Sequence, residues 1–84
     1  MILYFVNDNN PQRTRALAKV KTEKEAFAEI NKFLEEHEYK SYYTRVWHVE
    51  SNIRRYDVGS YTEFFELELE DGEYFESKIG EKNE

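Results

Sequence analysis

The segment EFFELELEDG, residues 63–72, decides the fold, because from Phe65 to Glu70 its apolar and acidic side chains alternate with period two. Phe65, Leu67 and Leu69 take one set of positions, and Phe64, Glu66, Glu68 and Glu70 the other. Successive side chains on a strand point to opposite faces, so the segment reads as a strand with one face on a core and one toward water. Asp71-Gly72 has the chemistry of a tight hairpin turn, which predicts a short sixth strand over Glu73 to Phe75.

Upstream, Gly59-Ser60 breaks a run from Ile53 to Val58, and Glu50-Ser51-Asn52 separates that run from Ser41 to Val49, which is rich in Tyr, Thr, Val and Trp. Both read as strands. Before them, Thr22 followed by Glu25 has the spacing of a capping box, and Ala26, Phe27, Ile30, Phe33, Leu34 and His37 form one apolar stripe. That predicts a helix from Thr22 to about Glu38. Arg13 to Lys21 carries Arg13, Arg15, Lys19 and Lys21 on odd positions and Thr14, Ala16, Ala18 and Val20 on even ones, a strand with one basic face. Ile2 to Val6 is apolar on both faces and runs into Asn7-Asp8-Asn9-Asn10-Pro11, strong turn chemistry that makes the first two strands a hairpin.

The order is therefore β-β-α-β-β-β, with one further short strand where Glu73 to Phe75 pairs. Short turns between consecutive strands imply an α+β fold, a largely antiparallel sheet with one helix on one face. With 84 residues, 39% hydrophobic and 17% aromatic, the chain supports one core that relies on rings more than on aliphatic side chains. Residues 1–76 read as one domain and 77–84 as a solvated tail.

Cysteine is absent, which removes disulfides and thiolate metal sites, and His37 and His48 lie on different elements. No apolar run reaches the roughly 20 residues of a membrane helix, and the first residues have no basic lead, so the expectation is a cytoplasmic protein away from the membrane. No glycine-rich nucleotide loop occurs, and no cofactor is implied. Asp57, Ser60 and His48 offer a nucleophile, a base and an acid, but Gly59-Ser60 between strands reads more simply as a turn. The expectation is a protein without enzymatic activity.

One helix covers one face of a five-stranded sheet, whereas the first and third strands are apolar on both sides. Surplus rings on the uncovered face point to partner binding, with Tyr43, Trp47 and Tyr56 as the anchors because such rings bury area and keep a polar tip. The plain alternative is that the sheet curls and takes these rings into its core. Net charge is −6, and from Glu63 to Glu76 there are seven acids and no base. Glu66, Glu68 and Glu70 join the partner-binding set, either as a solvated strand face or as carboxylates standing in for the phosphates that a nucleic-acid-handling enzyme would grip. A direct nucleic-acid contact would need the basic row Arg13, Arg15, Lys19 and Lys21 near Arg45, Arg54 or Arg55, with Tyr43 and Trp47 interleaved, and self-association would pair two aromatic faces.

The segments KSYYTRVW (40–47) and YDVGSYTEFF (56–65), behind an apolar strand running into NDNN, resemble a pattern in small proteins of Gram-positive bacteria and their phages that have no assigned activity. The resemblance extends over most of residues 1–66. It implies a phage or prophage setting, in which small acidic proteins act by binding and inhibiting a host protein, including a defence or nucleic-acid-handling one.

Overall fold

The computed structural model describes residues 1–38 and 44–76. Five strands, β1 (Ile2–Asn7), β2 (Arg15–Lys19), β3 (Arg45–Glu50), β4 (Ile53–Asp57) and β5 (Glu63–Glu68), form one sheet in the order β2-β1-β5-β4-β3. Every neighbouring pair is antiparallel. The helix α1 (Glu23–Glu36) lies on one face, so the α+β class and the five-stranded sheet expected from the alternation are what the chain forms.

The turn chemistry works as its side chains dictate. Asn7 Oδ1 accepts hydrogen bonds from the Asn9 and Asn10 amides at 3.0 and 2.9 Å, closing an Asx turn that leads into a single 3-10 turn at Pro11–Arg13. Thr22 Oγ1 accepts from the Glu25 amide at 3.1 Å, and Glu25 Oε1 accepts in return from the Lys21 amide at 2.9 Å. The first satisfies one of the unpaired amides at the start of α1, and the second holds the residue that precedes the cap. The helix ends at His37, whose ring stacks on Phe33 at 4.0 Å, and the next residue, Glu38, has a positive φ of 51° that no helix continues.

The core is the layer between α1 and the sheet. Ala26, Ile30 and Leu34 of α1 are buried against Leu3 and Phe5 of β1, Tyr56 of β4, and Phe65 and Leu67 of β5. Rings set its geometry. Phe33 stacks on Phe5 at 5.0 Å and meets Phe65 edge-on at 5.4 Å, while Phe27 meets Tyr56 edge-on at 5.2 Å.

One expectation fails on a register detail. At Leu3/Tyr4 the pairing jumps from Ala18 to Ala16, so Leu17 is an extra residue and β2 changes face there. Arg15, opposite Phe5, faces the helix side and its guanidinium lies 5.7 Å from the Phe5 ring, whereas Lys19, opposite Ile2, faces the other side. Arg13 is in the 3-10 turn and Lys21 lies beyond the strand. The single basic strand face therefore does not form. The expected sixth strand is also absent: Gly72 makes the turn at φ +82°, but residues 73–75 are not a strand. Phe75 instead packs over the Arg54 guanidinium at 4.2 Å and edge-on to His48 at 5.7 Å. A ring placed on a cation is worth about 0.5–2 kcal/mol. The expected tail, 77–84, lies outside the described residues.

Candidate functional site

Register fixes which side chains share the helix-free face. Opposed residues of antiparallel strands point the same way, so Ala16, Tyr4, Glu66, Arg55 and Trp47 form one row across the whole sheet. Lys19, Ile2, Glu68, Ile53 and Glu50 form the row beside it. Val6 and Phe64, opposed across β1 and β5, extend the apolar part. Among the described residues no helix or strand covers this face.

Its organising unit is a guanidinium lying on a ring and held by a carboxylate. Arg55 lies 4.6 Å from the Phe64 ring centre while Nε and Nη2 donate to Glu66 Oε2 at 2.9 and 2.6 Å and Nη1 donates to Asp8 Oδ2 at 3.0 Å. Arg45 lies 5.7 Å from the Trp47 ring and donates to Asp57 Oδ2 at 2.8 Å. Trp47 and Phe64 meet edge-on at 6.4 Å, which joins the two units into one strip. A shallow groove opens between Arg45, Trp47, Phe64 and Tyr61, and Tyr61 stands in the β4–β5 turn at 99% exposure. Burial pushes the Asp57 carboxyl up, but the Arg45 hydrogen bond, the Gly59 amide and the Arg45 charge hold it below its ordinary value.

The residues expected to bind a partner are divided by this geometry. Trp47 lies on the helix-free face, half-buried in the strip. Tyr56 does not: it is on the opposite face at 0% exposure, because β4 turns its even residues toward α1, and Phe27 packs on it. Burial, reinforced by the Glu23 charge, pushes its phenol up to about 12, and its hydroxyl has no hydrogen-bond partner among the described residues. Tyr43 lies outside the described residues. Glu66 and Glu68 are on the helix-free face as expected, but Glu66 is spoken for by Arg55. Glu70 is past the end of β5, 3.5 Å from both the Lys19 ammonium and the Met1 ammonium. The acidic run is thus not one continuous row of bare carboxylates.

Phe64 and Tyr4 are outside the expected binding residues, and Arg45 and Arg55 enter them only as neighbours of the basic row. Phe64 was the readable one, a ring in the outward register of an otherwise acidic strand face. The positions of the two arginines depended on pairing partners that a local pattern does not give.

Asp57, Ser60 and His48 do not meet. Asp57 Oδ1 accepts from the Gly59 amide at 2.9 Å, and Ser60 Oγ accepts from the Thr62 and Glu63 amides at 3.3 and 3.1 Å, all of it turn chemistry. His48 pairs with Arg54 and faces the helix side, away from Asp57. Among the described residues no cluster of three metal-ligating side chains occurs, and no helix is long and apolar enough to cross a membrane. Comparison with known proteins finds no matching family model, curated protein or solved structure.

Proposed function

We propose that this chain is a non-enzymatic protein-binding module that docks through the helix-free face of its sheet, with the Trp47–Phe64 strip at the centre. The observation that supports it is the combination on that face of half-buried rings, a fully exposed Tyr61 and no covering element among the described residues. Rings of this kind, flanked by guanidinium groups, have the composition of interface anchors. The acidic contribution comes from Glu66, Glu68 and Glu50 around the strip. The resemblance to small proteins of Gram-positive bacteria and their phages suggests the setting, inhibition of a host protein by occupying its surface.

Two competing readings are less well supported. Nucleic-acid binding loses its basic track, since Arg15 and Lys19 point to opposite faces and Arg45 and Arg55 are paired to carboxylates. Self-association by pairing two aromatic faces meets like charge, since that face carries Asp8, Glu50, Asp57, Glu66 and Glu68 against Lys19, Arg45 and Arg55.

The test is affinity capture from a Gram-positive host lysate with the immobilised protein, alongside Trp47→Ala/Phe64→Ala and a Glu36→Gln control on the outer helix surface. The expected result is a stoichiometric protein retained by the wild type and the control and lost with the double variant. Retention that survives the double variant, or no retained protein at all, overturns the reading.

A further inference from the structure

Four of the five arginines lie on rings: Arg15 on Phe5 and Phe33, Arg45 on Trp47, Arg54 on Phe75 and Arg55 on Phe64. Three of these complete a triplet with a carboxylate, Asp57, Glu23 and Glu66 respectively. The helix-free face also contains a ring and a carboxylate with no cation between them. Tyr4 is half-buried on β1, opposite Ala16, and Glu68 is its diagonal neighbour on β5. Burial first, and then the charge of Glu68 and a hydrogen bond to it, raise the Tyr4 phenol. Among the described residues no arginine or lysine is stacked on Tyr4 or ion-paired to Glu68. The Lys19 ammonium, in the same row as Glu68, lies 3.5 Å from Glu70.

Resting on the protein-binding reading above, we infer that the Tyr4–Glu68 pair, bordered by Ile2 and opened toward the β2 edge by the small Ala16, receives an arginine from an extended segment of the partner protein. The partner's guanidinium lies on the Tyr4 ring and donates to Glu68, repeating the Arg55–Phe64–Glu66 arrangement one row away. Charge complementarity selects this occupant. Asp8, Glu50, Asp57, Glu66 and Glu68 stand on this face against Lys19, Arg45 and Arg55, a net negative surface that repels nucleic acid and a second copy of itself alike. A planar guanidinium suits the site better than an ammonium, because it stacks and donates at once.

The experiment titrates the isotopically labelled full chain with two nine-residue peptides of equal charge, one alternating Arg with Gly and one alternating Lys with Gly, and follows amide shifts. The expected result is that the Arg peptide shifts the amides around Tyr4 and Glu68, binds at least fivefold tighter than the Lys peptide, and weakens at least fivefold with Glu68→Gln. Glu36→Gln, which removes the same charge elsewhere, changes the affinity less than twofold. Equal affinity for the two peptides, an effect of Glu68→Gln no larger than that of Glu36→Gln, or tighter binding of a single-stranded oligonucleotide at the same amides overturns the inference. The capture result with Trp47→Ala/Phe64→Ala is independent of all three outcomes, so the broader reading stands or falls separately.

Discussion

Arg54 and Arg55 are neighbours in the chain and have the same partners in kind, a phenylalanine ring and a glutamate, yet they sit on opposite faces of the sheet. Arg54 is 3% exposed, ion-paired to Glu23 at the start of α1 and stacked on Phe75. Arg55 is 19% exposed, paired to Glu66 and Asp8 and stacked on Phe64. The chemistry is shared and the dielectric is not. On the helix side the Arg54 guanidinium has lost its water and depends on the Glu23 carboxylate, itself 17% exposed, to stay buried. On the helix-free side the guanidinium keeps about a fifth of its surface in water and its second partner, Asp8, is 46% exposed, so water screens part of the attraction.

The largest expected effect tests the buried side. Glu23→Ala removes an ion-pair partner of the 3%-exposed Arg54 guanidinium and lowers unfolding stability by about 3 kcal/mol in urea denaturation. Arg54→Met combined with Glu23→Leu removes both charges and restores most of that loss. If Glu23→Ala costs no more than a surface pair, the contrast between the faces is wrong. The next effect is a gain: Tyr56→Phe deletes the buried hydroxyl that lacks a partner and raises stability by about 1 kcal/mol, and a loss would show that the hydroxyl is satisfied. On the open side, Glu66→Gln costs only roughly 0.5 kcal/mol, and the cost shrinks further as salt is raised.

The same contrast explains what was legible in the sequence. Glu63 to Glu70 announced its two faces because period two is local, and the helix announced itself through Thr22, Glu25 and the stripe at Ala26, Ile30 and Leu34. The α+β class followed from those patterns and the turns between them. The site was only partly legible. Tyr56 read as a leftover ring because local pattern does not say which face of β4 meets the helix, and that is set by its pairing with Phe65. The basic row of β2 was lost to one extra residue, Leu17, which turns Arg15 and Lys19 to opposite sides. A one-residue irregularity inverts every assignment beyond it, and no period-two count detects it. Phe75 was placed in a strand because a turn preceded it, whereas a cation already present at Arg54 offered the ring a better surface.

The smallest effect is a pH dependence, and its sign follows from two carboxylates. Asp57 is held below its ordinary 3.8 because the Arg45 and Gly59 hydrogen bonds outweigh the opposing effect of burial, and Glu73 is held below 4.5 chiefly by the hydrogen bond from the Met1 ammonium. Each folded carboxyl therefore binds its proton more weakly than the unfolded one. The stability this confers is fully present above the unfolded values and is lost as pH falls through them toward the folded ones. Thermal unfolding followed by circular dichroism should give a plateau above about pH 5 and a decline below it. Arg45→Gln removes the larger support from Asp57 and makes the acid decline shallower, while leaving the midpoint at pH 7 slightly lower, because Arg45 itself is two-thirds exposed. An unchanged acid slope in that variant would mean that the Arg45–Asp57–Trp47 unit is a surface arrangement without energetic coupling, and the open face would then have one fixed cation instead of two.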